Sequence, residues 1–301
     1  MMITPQIHPD VFFENTLEHF NAYQQDFLSH LEFPDQLLLD AVQYVMQTPG
    51  KKFRAQMVYA TGYLFQLPYS LLDPIALSIE LIHAYSLVHD DLPAMDNDDY
   101  RRGRLSCHKA FDEATAILTG NTLHHLAFSL LIERLPPKYA LHVMQNILQQ
   151  IGPQGILSGQ SMDLKLLKNG KISLEQLIAV HHLKTSALLE AVVESVGICA
   201  QVSAQTQQKL FDFARHLGLA YQMLDDYGDV YAAKIWGKKH SSDVSNEKFT
   251  FVQFYPKETL KNLISDEFNK ALAAILPLEN TLYLIHLVKQ IEQRLKEGET
   301  S

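Results

Sequence analysis

The chain has 301 residues, 47% of them hydrophobic, and its 34 acidic and 25 basic side chains give a formal net charge of −9. This composition predicts a globular protein with a large core and excludes a disordered or fibrous chain. The negative charge argues against a general nucleic-acid or anionic-membrane binder, so a bound anion must be held by a local group of basic side chains. Two cysteines, Cys107 and Cys199, are too few for a disulfide framework and indicate reduced thiols in the cytoplasm.

Targeting and membrane segments are not predicted. The amino terminus lacks a basic stretch followed by an apolar one, so no signal peptide is expected. No uncharged apolar run approaches the roughly 18 residues that a membrane helix needs, because the best candidate, residues 186–202, is interrupted by Glu190 and Glu194. We therefore expect a protein without a membrane span.

Apolar residues recur every three or four positions through most of the chain, which is the pattern of amphipathic helices. Clear examples begin at Leu17, Leu141, Leu174 and Leu210. Breakers separate the helical segments at Pro49-Gly50, Pro68, Pro74, Pro93, Gly103, Pro136-Pro137, Gly152-Pro153, Gly170, Gly237, Pro256 and Pro277. Without repeats or a linker, this pattern predicts an all-α, single-domain bundle of about ten or more helices over residues 1–301.

A first acidic cluster follows the strongly apolar segment ALSIELIHAYSLV and contains Asp90, Asp91, Asp96, Asp98 and Asp99. Packing so much negative charge is costly unless a cation neutralises it. Pro93 disfavours helix at Leu92, so Asp90 and Asp91 should lie on the last helical turn, with Asp96 curling back from the loop. The negative end of the helix dipole favours a cation there. A solvated helix end remains the alternative.

A second acidic cluster favours a bound cation over a helix end that is merely exposed to solvent. In YQMLDDYGDVY, Asp225 and Asp229 lie four residues apart on one predicted helical face, with Asp226 beside them. Like charges at this spacing destabilise a helix unless a cation bridges them. Hard carboxylate oxygens select magnesium or manganese. Two such clusters, each after an apolar helix, indicate a pocket with an apolar body and an acidic rim.

Basic residues follow both clusters: Arg101, Arg102 and Arg104 after the first, Lys238 and Lys239 after the second. Arginine forks bind phosphate with two parallel hydrogen bonds, and lysine adds a mobile point charge. Together with metal-binding carboxylates they predict a diphosphate site. Salt bridges on an ordinary surface are the alternative.

The segment DDLPAMDNDDYRRGRLSCHKAFDEATAILTGN resembles the first aspartate-rich motif of bacterial farnesyl diphosphate synthases, members of the trans-polyprenyl diphosphate synthase family. The resemblance continues in family order through PGKKFR, LIHAYSLVHDD, GQSMDL, HLKTSALLEAVV and LAYQMLDDYGDV, which span most of the chain. It implies a helical bundle of the isoprenoid synthase type around a central cavity. It also implies a homodimer that condenses isopentenyl diphosphate with allylic diphosphates.

The resemblance assigns roles to individual residues. It implies three magnesium ions, with manganese able to substitute, and metal residues Asp90, Asp91, Asp96, Asp225 and Asp229. Arg101, Lys184 and Lys238 would hold the allylic diphosphate, while Thr185 and Gln222 would direct oxygen dipoles at the carbocation. Isopentenyl diphosphate would be bound by Lys51, Arg54, His83 and Arg102, with Lys248 as a further basic residue. A lone His83 in an apolar helix would otherwise be interpreted as a core histidine.

Product length is expected to depend on Tyr85 and Ser86. Tyr85 precedes Asp90 by five residues, which at the helical rise of 1.5 Å per residue is about 7.5 Å deeper than the metals. An aromatic ring there would stop chain growth at farnesyl diphosphate, whereas the small Ser86 cannot block it. The alternative is that Tyr85 is an ordinary core aromatic.

Several other functions compete with this interpretation. A geranylgeranyl diphosphate synthase or a terpene cyclase would use similar aspartates, although a cyclase needs no isopentenyl site. A noncatalytic subunit of a heteromeric synthase would be expected to lose an aspartate cluster, and both are intact. A metal-binding module without catalysis would bind metal in the absence of diphosphate. Departures from the family pattern at Asn121-Thr122 and Tyr227-Gly228, and a shortened loop after Asp229, bear on efficiency more than on reaction class.

Overall fold

A computed structural model of the protein describes residues 7–169, 172–231 and 249–297. The chain divides into two compact units, residues 1–62 with 66–144 and residues 63–65 with 145–301. The described residues are mostly helical, with almost no sheet, which confirms the all-α fold class. The single domain over residues 1–301 stays a prediction.

The first unit is built around a long apolar helix. Its elements are, in chain order, α1 Pro9–Ser29, α2 Gln36–Met46, α3 Phe53–Leu64, α4 Tyr69–Asp90, β1 Tyr100–Arg101, β2 Arg104–Leu105, α5 Cys107–Ala110 and α6 Glu113–Arg134. Helix α4 packs along α6, and α1 and α2 also contact it. Asp35 and Asp112 accept backbone N–H bonds at the starts of α2 and α6, as expected of residues that precede a helix.

Helix α4 differs from its prediction in two respects. Pro74 lies inside it instead of separating two segments. The position is close to the helix start, where a missing N–H costs a single bond, and burial of the neighbouring Ile75 and Ile79 compensates. Among the described residues α4, not the segment 186–202, is the helix apolar and long enough to cross a membrane. Since 72% of its most apolar window is buried, it resembles the core helix of a soluble protein.

The second unit surrounds a long helix that carries the second aspartate motif. Its elements are α7 Pro137–Ile151, whose start lies in the first unit, α8 Ile156–Asn169, α9 Leu174–His181, a π-helical segment His182–Ser186, α10 Ala187–Ala200, α11 Ala204–Tyr231, a 3₁₀ turn Phe251–Gln253, α12 Lys257–Ile275 and α13 Leu282–Glu297. Helix α11 packs against α10 and α12. Reciprocal bonds between Ser173 and Gln176 form a capping box that begins α9.

The predicted breakers Pro136, Gly152-Pro153 and Pro256 lie between helices, and Pro137 is the first residue of α7. Gly170 and Gly237 lie outside the described residues. Helix α11 continues through Tyr227 and Gly228, and the Tyr227 ring is fully buried. The departure from the family pattern at these two positions is therefore accommodated within a regular helix.

Candidate active site

The first aspartate motif begins where α4 ends. Asp90 is the last residue of α4, and Pro93 stops the helix soon afterwards. The loop turns back, because the backbone N–H of Asp96 donates to the carbonyl oxygen of Asp90 at 2.8 Å. Asp90 and Asp96 are both partly exposed. The loop therefore curls back to the end of α4, as the sequence predicted, and both aspartates remain accessible to solvent.

Asp91 has a different environment from the other two aspartates. It is 2% exposed, and its Oδ1 and Oδ2 accept hydrogen bonds from Arg101 Nε at 3.0 and 3.4 Å. Arg101 Nη2 contacts the same carboxylate and also donates to Asp98 Oδ2 at 3.1 Å. The assignment of Asp91 as a metal residue stays a prediction, and in this structure its buried carboxylate is paired with Arg101. In this arrangement the Asp91 carboxylate restrains Arg101, whose side chain is 33% exposed.

A hairpin that the sequence analysis did not predict places Arg102. Strands β1 and β2 pair antiparallel around a two-residue turn, Arg102-Gly103, with positive φ angles of 53° and 80°. Two-residue hairpin turns favour such angles because they match the strand twist. Arg102 Nη2 donates to His83 Nε2 at 3.3 Å. A methyl group on Gly50 would overlap the Arg102 guanidinium, so the Gly50 backbone is in close contact with it.

His83 lies at the centre of a basic group formed by Lys52, Arg54, Arg101 and Arg102. Burial, and then the charges of these four residues, hold the pKa of His83 well below its usual range. His83 is therefore neutral and accepts a hydrogen bond from Arg102. Lys51 is exposed, whereas Lys52 Nζ donates to Gln24 Oε1 at 3.1 Å. The structure brings the predicted Arg54, His83 and Arg102 close together.

The second aspartate motif, on α11, also combines exposed and buried aspartates. Asp225 and Asp229 are partly exposed, whereas Asp226 is 3% exposed. Asp226 Oδ1 accepts from Gln222 Nε2 at 2.9 Å, and Oδ2 accepts from the backbone N–H of Phe251 at 2.8 Å. Adjacent helical residues point about 100° apart, which places Asp225 and Asp226 on different sides of α11. In each motif the second aspartate is the buried one.

The π-helical segment between α9 and α10 carries Lys184 and Thr185. Single π turns within helices are frequent at functional sites. Thr185 Oγ1 donates to Gln222 Oε1 at 3.1 Å, so these two predicted residues are in contact, and Gln222 in turn contacts Asp226. Lys184 Nζ forms an ion pair with Asp163 Oδ2 at 2.7 Å.

Asp163 is a site residue that the sequence analysis missed. It belongs to the GQSMDL segment on α8, and its carboxylate restrains the predicted Lys184. Gly159 on the same helix allows the close approach, because a Cβ atom there would lie 2.7 Å from the Lys184 backbone nitrogen. The motif was noticed through family resemblance, but an ion pair 21 residues apart has no local sequence signal.

The two predicted chain-length residues lie on α4. Tyr85 is 8% exposed, and its ring meets the ring of His124 on α6 edge-on, with centroids 5.2 Å apart. Ser86 Oγ donates to the carbonyl oxygen of His83 at 2.9 Å. The Tyr85 ring therefore extends from α4 and packs against α6. Lys238 and Lys248, predicted to bind diphosphate, lie outside the described residues.

Glu190, on α10, titrates abnormally. It is 8% exposed, and burial raises its pKa to about 7, against the opposing charge of Arg215 and with a further increase from Glu194. The folded protein therefore keeps a proton that the unfolded chain releases near pH 4.5. The resulting stabilisation is complete below that pH and is lost as the pH rises through 7.

We expect Glu190→Gln to remove this pH dependence. The free energy of unfolding of the variant minus that of the wild type should be about 2–3 kcal/mol larger at pH 8 than at pH 5. The reason is that at pH 8 the wild type must bury a charged carboxylate. Urea unfolding at the two pH values measures the difference. The exposed Glu258→Gln is the control and should show no such change. If Glu190→Gln changed the free energy of unfolding equally at both pH values, that would contradict the raised pKa of Glu190.

The donor atoms suit magnesium. Asp90, Asp96, Asp225 and Asp229 offer hard carboxylate oxygens, the ligands that magnesium prefers. No group of three or more histidine, cysteine, aspartate or glutamate side chains in the described residues is arranged to hold a metal by itself. Magnesium commonly binds one or two carboxylates and takes its remaining ligands from water and substrate phosphate.

An all-α fold with two aspartate-rich helix ends and a basic group around a neutral histidine defines an isoprenoid diphosphate synthase. Comparison with known proteins agrees. The chain belongs to the polyprenyl synthetase family, whose sequence profile matches residues 35–276. The enzyme class predicted from the sequence, a trans-prenyltransferase, is thereby confirmed.

Curated relatives are similar over most of their length. Farnesyl diphosphate synthase of Haemophilus influenzae is 38% identical over 253 residues, covering 81% of this chain and 85% of that one. The Escherichia coli enzyme of the same name is 36% identical over 245 residues, 79% and 81% of the two chains.

Similar solved structures are geranyltransferases. A geranyltransferase from Legionella pneumophila has a TM-score of 0.86 at 36% identity, covering 95% of this chain and 97% of that one. A Helicobacter pylori geranyltransferase complexed with magnesium and isoprenyl diphosphate has a TM-score of 0.81 at 27% identity, covering 99% of both chains.

Proposed function

We propose that this protein is a farnesyl diphosphate synthase, which condenses isopentenyl diphosphate with dimethylallyl and then geranyl diphosphate. The observation that carries the proposal is the basic group around neutral His83, which includes Arg54 and Arg102. A second diphosphate site of this kind is needed for chain elongation and not for terpene cyclisation. The names of the Haemophilus and Escherichia relatives support farnesyl diphosphate as the product.

The aspartates are proposed to hold magnesium, with Asp90 and Asp96 for two ions and Asp225, supported by Asp229, for a third. When bound, the metal would neutralise negative charge on the departing diphosphate. The magnesium and isoprenyl diphosphate in the Helicobacter complex support this proposal. Manganese is expected to substitute because it accepts the same hard oxygen ligands.

Basic side chains are proposed to stabilise the diphosphate that leaves. Arg101, Lys184 and Lys238 would bind the allylic diphosphate and favour its departure, since fixed positive charge stabilises the negative charge that develops in the transition state. The partners of the two described residues are consistent with this role, because Asp91 orients Arg101 and Asp163 restrains Lys184.

Departure of the diphosphate leaves an allylic cation, with which the new carbon–carbon bond is formed. The alkene of isopentenyl diphosphate attacks the allylic carbon, and the released diphosphate takes the proton that is lost. Thr185 and Gln222 would direct oxygen dipoles at the positive charge without acting as nucleophiles. Their mutual hydrogen bond, at 3.1 Å, and the bond from Gln222 to Asp226 restrain those dipoles. Lys51 and Lys248 would complete the binding of isopentenyl diphosphate.

The assembly is proposed to be a cytoplasmic homodimer. Helix α6 exposes Leu118 and Ile132 to the extent of 55% and 62%, and large exposed apolar side chains on one helix are typical of an interface. Two-fold dimers are the commonest assembly of soluble homo-oligomers, and the exposed apolar side chains of α6 would be available to such an interface. The short supply of cysteine and the buried α4 support a location in the cytoplasm.

The proposal is tested by incubating the pure protein with isopentenyl diphosphate and each allylic diphosphate in turn, with and without magnesium, and measuring diphosphate release. We expect release that requires magnesium and both substrates. Release from the allylic substrate alone would instead indicate a cyclase or a hydrolase. A geranylgeranyl diphosphate synthase remains the second candidate and would accept farnesyl diphosphate as a substrate.

Tyr85 is proposed to limit the product to fifteen carbons. If its ring closes the space between α4 and α6, Tyr85→Ala should yield products of twenty carbons or more, at a cost of about 3 kcal/mol in stability from the cavity. Mass spectrometry of the extracted products measures the change. Tyr85→Phe keeps the ring and should still stop at fifteen carbons. An active Tyr85→Ala enzyme with unchanged products would show that the limit lies elsewhere.

A further inference from the structure

Glu80 is a buried carboxylate beside the basic group to which no role has been assigned. It lies on α4, three residues before His83, and is 4% exposed. Its Oε1 accepts a hydrogen bond from the backbone N–H of Ala55, at 3.1 Å. Ala55 belongs to the first turn of α3, which also contains Arg54. Glu80 therefore connects the helix of His83 directly to the turn of Arg54.

The start of α3 needs an acceptor that its own sequence does not supply. The backbone N–H of Gln56 donates to the carbonyl oxygen of Lys52 at 2.9 Å, which identifies Lys52 as the residue that precedes the helix. Residues at this position normally accept an N–H bond from the first turn, but lysine has no acceptor atom. Glu80 supplies the acceptor from α4. Its negative charge also interacts favourably with the positive end of the helix dipole.

The same carboxylate lies among positive charges. Lys52 and Glu80 interact electrostatically, and Lys52, Arg54 and Arg102 all lie near His83. Removing Glu80 would leave Lys52 without this counter-charge and the first turn of α3 without this acceptor. Both effects would displace Arg54 and the adjacent Lys51.

We propose that Glu80 is the positioning residue that holds the first turn of α3, and with it Arg54 and Lys51, in the geometry that binds isopentenyl diphosphate. The inference rests on the proposed function, because it concerns the affinity of one of the two proposed substrates. Glu80 itself does not touch the reacting atoms.

Glu80→Ala should raise the Michaelis constant for isopentenyl diphosphate by about tenfold, whereas the constant for geranyl diphosphate and kcat at saturation should stay within about twofold. Glu80→Gln retains an oxygen acceptor of the same reach and should recover most of the affinity. Glu80→Asp retains the charge but is one methylene shorter, and it replaces the alanine variant if that does not fold. Isothermal titration with isopentenyl diphosphate measures the same affinity without turnover.

Asp73 provides the matched control. It is also a buried carboxylate on α4 that contacts α3, where it accepts from Tyr59 Oη at 2.8 Å. Asp73→Ala should lower stability and leave the affinity for isopentenyl diphosphate unchanged. An equal loss of affinity in both alanine variants, or none in any Glu80 variant, would overturn the proposal. If the wild type binds isopentenyl diphosphate but forms no product, the proposed function fails and the titration still tests Glu80.

Discussion

Asp90→Asn and Asp225→Asn are each expected to lower kcat by at least about a hundredfold. Each change removes one negative charge from a proposed metal site, and the loss of a single electrostatic contact to a developing charge typically costs 10²- to 10³-fold. Both side chains are partly exposed, so the amide variants should fold normally. Steady-state kinetics at saturating substrate and magnesium measure the effect.

Asp99→Asn is the matched control for these variants. Asp99 follows the first motif closely, is 57% exposed and forms an ion pair with Lys109 at 2.9 Å. An exposed ion pair contributes little, so the rate should stay within about twofold of wild type. Rates within threefold of wild type for both Asp90→Asn and Asp225→Asn would contradict the metal assignment. A similar loss in all three variants would indicate a general effect of charge.

Arg102→Ala is expected to raise the Michaelis constant for isopentenyl diphosphate by about 30-fold and to change that for geranyl diphosphate by less than threefold. A hydrogen bond to a charged group contributes about 1.5–3 kcal/mol, which corresponds to roughly 10- to 100-fold in affinity. The asymmetry follows from the location of Arg102 beside His83 and Gly50, whereas Arg101 is engaged with Asp91. Initial rates with each substrate varied in turn give the two constants.

Arg104→Ala separates this effect from a general loss of positive charge. Arg104 belongs to the same hairpin, but its guanidinium lies over the Tyr44 ring, 4.1 Å from the centroid. We expect both Michaelis constants to stay within about twofold of wild type. Equal increases for both substrates in Arg102→Ala would favour one shared diphosphate site over two separate ones.

Local rules of chain geometry were sufficient for part of the site. The effect of Pro93 predicted that Asp96 curls back towards Asp90, and the hydrogen bond between their backbones agrees. The 3.6-residue period predicted the helices and the common face of Asp225 and Asp229. These features depend on neighbours in sequence, where propensity and periodicity carry information.

The hairpin could not be predicted in the same way. Its turn places Arg102 at a φ of 53°, an angle that a non-glycine residue seldom adopts. Only Gly103 gave a sequence signal, and it was interpreted as a general breaker. The surrounding packing stabilises the turn, and contacts of that kind become visible only in three dimensions.

The supporting residues Asp163, Asp226 and Glu80 depend on tertiary contacts. Each is buried or half-buried and binds a partner between 21 and 25 residues away in the chain. No short pattern distinguishes such a carboxylate from a surface one. The pairing of Asp91 with Arg101 could not be predicted for the same reason, because it is set by the fold of the loop.

Mass spectrometry of the product formed from geranyl diphosphate and isopentenyl diphosphate with magnesium tests the central claim most directly. With isopentenyl diphosphate carrying a ¹³C label, the account predicts one major product, a fifteen-carbon diphosphate that contains one labelled unit. Longer products would retain the enzyme class and contradict the chain-length limit. Recovery of geranyl diphosphate unchanged, or of unlabelled ten-carbon alcohols alone, would contradict the claim that this chain joins isoprenoid units.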